Sequence, residues 1–373
     1  MGQHPGLLLQ DAHTAFIFYF VHQGEREPDS RHTWLQAAKL EFDGDTLRCD
    51  RNAEFNFVLQ PPISEFTSEH PPVLALGSAN NRDQDSVLLF SFFRDNGQDG
   101  LFLASSEDGL KWTELKPPGK SFLTPRVGGK LMRDPNLALG PDGIFHMVWT
   151  SGWGKPPVLG YAHSRDLAHW SDQQAVAVMS QEPTTENVWA PELFYDAAKT
   201  QWLIFWSSTI PGRFPETEHS GDHNHRIYYT VTKDFATFAP SKLFLDGGFN
   251  VIDATMLKTP DQCLLIVKDE TRQPPKKNLR IASASGPEGP WSAASAPIST
   301  NTWVEGPSPV QVGSQYYLYF DHYTAPQYYG ALRTSDLKLW DDISPQVTLP
   351  KGARHGTALR VPRRIVQQLN PVK

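Results

Sequence analysis

One pattern, written five times along the 373-residue chain, constrains it more than any other feature. An alternating strand runs into a Ser/Thr-x-Asp-type turn and then an aromatic residue. The copies are LFLASSEDGLKW ending at Trp112, LGYAHSRDLAHW at Trp170, IYYTVTKDFATF at Phe238, LRIASASGPEGPW at Trp291 and YGALRTSDLKLW at Trp340, so successive copies lie 58, 68, 53 and 49 residues apart. Short strands with turn signals at periods of roughly 40–50 residues are the signature of a β-propeller, one blade per copy. Before each copy runs a more continuously apolar strand, as expected of one covered on both faces: VLLFSFF from Val87, FHMVWTS from Phe145, WLIFWSS from Trp202, CLLIVKD from Cys263 and YYLYFDH from Tyr316. A third, shorter element completes the unit: RDPNLAL from Arg133, WAPELFY from Trp189, IDATMLK from Ile252, EGPSPVQ from Glu305 and RHGTALR from Arg354. The last of these has no strands after it, and the first pair, near Val87 and Leu101, has no such element before it. Joining the two ends completes a blade and leaves the ring no open edge. The expected fold is all-β: a five-bladed β-propeller over residues 84–364, closed by strands from both ends of the repeat region, with a tail at 365–373.

Residues 1–83 stand outside the repeat. The segments 16–21 (FIFYFV) and 40–42 read as strands, and Gln60-Pro61-Pro62 with His70-Pro71-Pro72 as loop or linker. A small N-terminal β extension packed on the propeller is expected, with no function attached to it. Composition agrees with a turn-rich β protein, with 27 Gly, 31 Pro and 12% aromatic residues. Mean hydropathy is −0.43, and no run approaches the roughly 20 apolar residues of a membrane-spanning helix. The net charge of −7, with no basic run beyond Lys276-Lys277 and Arg363-Arg364, argues against capture of nucleic acid. Neither nucleic acid nor membrane is an expected partner, and oligomeric state stays open. Cys49 and Cys263 are too few and too far apart for a disulfide framework or a thiolate metal site. The run Leu7-Leu8-Leu9 is cut by Gln10, Asp11 and His13, too soon for an export signal. The expected location is the cytoplasm, or the periplasm or exterior if a signal has been removed.

In a propeller the innermost strands surround one shared site. Asp134, Asp253, Glu305 and His355 open four of them, and the strand opened by Trp189 carries Glu192. Taken singly, an Asp-Pro or a Glu-Gly-Pro is a turn signal; their shared place in the repeat brings three carboxylates into one aromatic pocket. That combination points to glycosidic bond cleavage, which needs one carboxyl kept protonated for the leaving oxygen and one ionised to activate water or attack the sugar. The expected sugar contacts are Trp153, Trp189 and Trp303, with Phe214 and Tyr323 behind them. Arg133 and Arg280 are read either as donors to sugar hydroxyls or as ion-pair partners. Trp112, Trp170, Trp291 and Trp340 are expected to pack between blades. His219, His223 and His225 read as a loop at the pocket rim, because Pro215, Gly221 and Asp222 flank them and their spacing fits no metal motif.

The ordered set Arg133-Asp134-Pro135, Trp189-Ala190-Pro191-Glu192, Ile252-Asp253, Glu305-Gly306-Pro307 and Arg354-His355-Gly356 resembles glycoside hydrolase family 43, the five-bladed arabinosidases, xylosidases and galactosidases. The resemblance implies that Asp134 is the general base, Asp253 tunes and orients the acid, and Glu305 is the general acid. It also implies inversion of anomeric configuration, with base and acid roughly 6.5–9.5 Å apart. His355 matches a histidine of that family associated with a calcium or sodium ion in the central channel through waters; a structural histidine is the other reading. No cofactor is required. The segment from Lys268-Asp269 through Trp303–Pro307 to Arg354–Thr357 leans toward arabinofuranose or galactose.

The function implied is an exo-acting, inverting hydrolase of terminal sugars on plant-type polysaccharide side chains, with α-L-arabinofuranose favoured and β-D-galactose or β-D-xylose next. An oligo- or polysaccharide is the expected partner. An invertase-like retaining enzyme is echoed in Arg133-Asp134-Pro135-Asn136, with Asp134 as nucleophile, but Arg133 stands where that group has Asn. A non-catalytic carbohydrate-binding propeller is the reading from another class; it leaves three acids in register unexplained.

Overall fold

A computed structural model of the chain describes residues 3–9, 14–22, 33–43, 46–49, 86–116, 120–219 and 222–370. It divides into two compact units, Met1–Pro71 and Pro72–Lys373. The first holds a four-stranded antiparallel meander of β1 (Gln3–Leu9), β2 (Thr14–His22), β3 (Thr33–Asp43) and β4 (Thr46–Cys49). The two strands expected here fall within β2 and β3. The proline-rich segments at 60–62 and 70–72 lie outside the described residues.

The second unit is the propeller, with five sheets of antiparallel strands. The chain enters through β5 (Ser86–Phe93), β6 (Phe102–Ser106) and β7 (Thr113–Glu114). Blade I follows as β8 (Arg133–Leu139), β9 (Phe145–Thr150), β10 (Leu159–Ser164) and β11 (Gln174–Val176). Blade II is β12 (Trp189–Asp196), β13 (Gln201–Thr209), β14 (His225–Thr232) and β15 (Lys242–Leu245). Blade III has three strands, β16 (Val251–Lys258), β17 (Cys263–Asp269) and β18 (Asn278–Ala284), and blade IV four, β19 (Val304–Val312), β20 (Gln315–His322), β21 (Tyr328–Thr334) and β22 (Asp341–Asp342). The last strand, β23 (Arg354–Pro362), returns to pair with β5 and gives blade V the order β23-β5-β6-β7. Both ends of the repeat region thus build one sheet, as the uneven count of elements requires.

Blade III has no fourth strand; the segment after Trp291 runs beside β18 and donates to it from the Ser292, Ser295 and Ile298 N–H groups. Its serines accept in return: Ser295 Oγ accepts from the Ile281 N–H and Ser292 Oγ from the Ser283 N–H, each at 3.0 Å.

Apolar residues between adjacent sheets form five separate layers, one per blade interface. The repeat aromatics sit there as expected. Trp112 packs edge-on against Phe90 and Tyr319 with centroids 5.4 and 5.6 Å away, and Trp291 against Phe244 at 5.2 Å. Four of the five turns before these aromatics share one hydrogen-bond plan. In SRDLAHW, Ser164 Oγ accepts from the Leu167 N–H at 2.8 Å, while Asp166 Oδ1 accepts from Ala168 and His169. Ser106/Asp108, Thr232/Asp234 and Thr334/Asp336 repeat it.

The chain beyond β23 is not only a tail: Arg363–Leu369 forms α1. Its Ile365 is buried in the layer between blades V and I, with Val366 and Leu369 beside it.

Candidate active site

The five innermost strands β8, β12, β16, β19 and β23 contact one another in turn and close a ring. Each carries a bulge near its start, at Arg133/Asn136, Trp189/Glu192, Ile252/Thr255, Glu305/Ser308 and Arg354/Thr357. A bulge re-aims the side chains around it, and five in register aim five sets of side chains at one axis. The second bulge residue lies in the left-handed region in four strands, with φ of +53° at Asp134, +46° at Ala190, +54° at Asp253 and +58° at Gly306. For a non-glycine residue this costs about 1–3 kcal/mol and persists only where the surroundings impose it. Gly306 is required for a different reason. A Cβ there would lie 2.5 Å from the His355 ring.

The register refines the expected equivalence of the acids. Asp134, Asp253 and His355 share the second bulge position, whereas Glu305 occupies the first, the place of Arg133, Trp189, Ile252 and Arg354 in the other blades. Glu305 therefore approaches the site one residue out of step.

His355 joins two of the acids. Its Nδ1 lies 3.2 Å from Asp134 Oδ1 and 4.0 Å from Asp253 Oδ2. Thr150 Oγ1 donates to Asp134 Oδ2 at 2.7 Å and accepts from the Ala190 N–H at 2.7 Å, fixing the carboxylate from blade I while reaching blade II. The Gly306 N–H donates to Asp253 Oδ2 at 3.3 Å. Burial pushes the Asp253 carboxyl up to about 6, with His355 and Lys268 opposing. Burial pushes the Glu192 carboxyl up to about 8, against a hydrogen bond with Thr255. For His355, burial works against the charge, but Asp134, Asp253, Glu305 and Glu192 together raise the imidazole above its ordinary value.

Glu305 has the contrary environment. Burial works to raise its carboxyl, yet Lys268, His355, Arg354 and Arg133 outweigh it and hold Glu305 below the ordinary carboxylate value. Lys268 Nζ is 3.3 Å from Glu305 Oε2 and Arg354 Nη2 3.0 Å from Oε1.

The aromatic wall also assembles. Trp153 and Trp189 meet edge-to-face with centroids 5.5 Å apart. Arg133 stacks between Phe93 and Trp153, 4.7 and 4.3 Å from their ring centroids. Asn96 Oδ1 gathers the pair, accepting from Arg133 Nη1 at 3.2 Å and from Trp153 Nε1 at 3.0 Å. Trp303 stands across from Tyr323 at 6.2 Å, and Tyr323 lies 4.5 Å from the Lys268 ammonium. Trp153 and Trp303 are 51% and 40% exposed.

Other expected residues lie elsewhere. Arg280 is committed to Asp269 Oδ2 at 3.0 Å and to the Ser295 carbonyl at 2.9 Å, the ion-pair reading of that side chain. Phe214 lies beneath the Arg226 guanidinium at 4.2 Å. His225 is not in a rim loop: it opens β14, is buried, and packs with His223 against Trp189 at 5.1 and 4.9 Å. A cleft of about 190 Å³ opens beside them, between Glu216, His223, Asn250 and Arg272.

His355 Nδ1 faces Asp134 at 3.2 Å, so that nitrogen is taken by a carboxylate, and an ion in the channel would meet the ring through water, the form in which it was expected. Among the described residues, no group of three His, Cys, Asp or Glu is arranged to hold a metal ion.

Lys268, Asp321 and Arg354 are the charged neighbours of Glu305 missing from the expected set. Lys268 and Asp321 occupy one place in the repeat, opposite the first bulge residue, where β9 has Thr150, β13 has Ser207 and β5 has Phe93. A buried lysine and a buried aspartate at that place are the signal the sequence held.

A stretch of 199 residues is 23% identical to an α-L-arabinofuranosidase of Bifidobacterium longum subsp. longum, covering 47% of this chain and 18% of that protein. Among solved structures, the catalytic domain of a Coprinopsis cinerea family 62 α-L-arabinofuranosidase aligns with a TM-score of 0.45 at 15% identity, covering 60% of this chain and 71% of that one. An exo-β-1,3-galactanase of Phanerochaete chrysosporium aligns with a TM-score of 0.46 at 14% identity, covering 59% of this chain and 52% of that one. Residues 83–365 match the family-43-related group described as a probable glycosyl hydrolase domain. The match spans every blade of the ring, and the chain belongs to that family of glycoside hydrolases.

Proposed function

We propose that the protein is an exo-acting, inverting glycosidase that releases terminal α-L-arabinofuranose from polysaccharide side chains. The observation that carries the reading is the gathering of three acids at one end of the channel: Asp134 and Asp253 around His355, and Glu305 on the adjoining Arg354. Asp134, oriented by Thr150 and His355, takes a proton from water. The oxygen of that water attacks the anomeric carbon as the glycosidic C–O bond breaks, and Glu305 gives its proton to the departing oxygen. Asp253, between His355 and the Gly306 N–H, orients the blade IV strand that carries the acid. Trp153, Trp189 and Trp303 offer faces for the sugar.

Arabinofuranose is chosen over β-D-galactose and β-D-xylose because the B. longum relative is an α-L-arabinofuranosidase. The test is a panel of 4-nitrophenyl glycosides of the three sugars, followed by ¹H NMR of the first product formed. The expected result is hydrolysis of the α-L-arabinofuranoside with release of the β-anomer. Retained configuration would instead make Asp134 a nucleophile, and absence of hydrolysis across the panel would end the arabinosidase, galactosidase and xylosidase readings together.

A further inference from the structure

A residue that must deliver a proton is better left loosely held, yet both Glu305 oxygens are gripped by cations. Neither cation belongs to Glu305 alone. Lys268 Nζ lies 2.9 Å from Glu270 Oε2, and the other Glu270 oxygen pairs with Lys277. Arg354 Nε lies 2.5 Å from Asp321 Oδ2, whose Oδ1 accepts from Gln327 Nε2 at 3.0 Å. The result is one chain of alternating charge, Lys277–Glu270–Lys268–Glu305–Arg354–Asp321, running from blade III to IV, across to V and back to IV. The cations that hold Glu305 have side-chain exposures of 4% for Lys268 and 23% for Arg354, and Glu270 beside Lys268 is 13% exposed, so water screens the Lys268 pairs little.

Two carboxylates thus compete for one ammonium. We propose that Glu270 is a positioning residue for the hydrolysis: by holding Lys268 toward blade III it limits the grip of Lys268 on Glu305, leaving Glu305 able to carry the proton given to the leaving oxygen. The proposal rests on the reading of Glu305 as general acid. Glu270 touches neither sugar nor reacting atoms and acts only through Lys268. Asp321 stands in the same relation to Arg354 from the other side.

The groups facing Glu305 come from every neighbouring element. They are Lys268 of β17, Arg354 and His355 of β23, Arg133 of β8, Asp253 of β16, Asp321 of β20, Tyr329 of β21 and Tyr323 after β20, with Asp134 and Glu192 acting on the same His355. Of these, Lys268 is the cation whose second anion can be removed without touching the central acids. A general acid must be protonated, so kcat/KM falls as pH rises through its pKa. Without Glu270 the ammonium pairs with Glu305 alone, favours its ionised form, and moves that fall to lower pH. Without Lys268 the fall moves to higher pH.

The experiment measures kcat/KM against pH for wild type, Glu270→Gln, Glu270→Asp, Lys268→Met and the Glu270→Gln/Lys268→Met double variant, on an arabinofuranoside with a poor leaving group. At the wild-type alkaline midpoint, Glu270→Gln is expected to lower the rate about three- to tenfold. Glu270→Asp restores part of it, Lys268→Met shifts the limb the other way, and the double variant follows Lys268→Met. An unmoved limb in a folded Glu270→Gln overturns the proposal, as does a double variant that follows Glu270→Gln. Should Glu270→Gln not fold, Glu270→Asp decides: drawing the carboxylate back from Lys268 is expected to move the limb part of the way to lower pH, and an unmoved limb overturns the proposal. The leaving-group dependence of Glu305→Gln tests the reading beneath it separately.

Discussion

Replacing Glu305 with Gln isolates proton donation from everything else the side chain does. The amide keeps the shape and still accepts a hydrogen bond from Arg354 or Lys268, but it carries no proton to give. On a glycoside whose leaving oxygen must be protonated, kcat/KM is expected to fall about 10²–10⁴-fold, roughly 3–5.5 kcal/mol of barrier at 1.36 kcal/mol per decade. On a 2,4-dinitrophenyl glycoside, whose leaving group departs as a stable anion, the loss is expected to stay within about tenfold. Stability should change far less. Removing one partner of a buried ion pair costs about 3–5 kcal/mol when the other is left uncompensated. Here Lys268 keeps Glu270 at 2.9 Å and Arg354 keeps Asp321 at 2.5 Å, so the cost falls below that range, to about 2 kcal/mol or less. The assay pairs steady-state kinetics on the two substrates with a thermal melt of each protein. An equal loss on both leaving groups, with the melt preserved, would refute Glu305 as the donor.

Other outcomes follow from burial and packing. Burial raises the Glu192 carboxyl to about 8, so the folded state resists an ionisation that the unfolded chain undergoes near pH 4.5, and wild-type stability declines as pH rises from there toward 8. Glu192→Gln removes that decline: its Tm advantage over wild type should grow between pH 4 and 8, and a pH-independent difference in calorimetry would contradict it. Trp112→Ala empties a space between Phe90 and Tyr319 and should cost about 3–5 kcal/mol in chemical denaturation while KM holds; a change under 1 kcal/mol would mean the ring is not a packing residue. Gly356→Ala would bring a Cβ to 2.0 Å from the Ser91 carbonyl, forcing β23 off β5, and is expected to lower both stability and the fraction of active enzyme. A variant as stable and active as wild type would show that this seam tolerates a side chain.

Much of this molecule is readable before any coordinates. The aromatic turns and apolar second strands declare the blades, and the odd element at Arg354 declares how the ring shuts. Asp134, Asp253 and Glu305 are legible because each opens an innermost strand. What escapes is the set of neighbours. Lys268 and Arg354 reach Glu305 across blade boundaries, with Asp321 beside it on the next strand of its own blade, and which charges meet there depends on the closed ring and on a bulge that shifts Glu305 by one residue. The loop expected around His225 shows the same limit. Proline and glycine mark the turn at 211–222, but nothing local says that the chain re-enters a strand at His225 and turns that ring toward Trp189.

The strand that shuts the ring also completes its chemistry. β23 brings Arg354 to Glu305 and His355 to Asp134, and it does so by meeting β5 across contacts such as Ser91 with Thr357, 266 residues apart. Pairing over so long a separation is slow to form and comes late. A chain still being synthesised, or one whose seam has opened, leaves Glu305 with Lys268 but without Arg354, and the blade I carboxylate has no imidazole beside it. With the proposed roles of Glu305 and Asp134, turnover is expected only in molecules whose first and last propeller strands have found each other, and its loss should precede the melting of the individual blades.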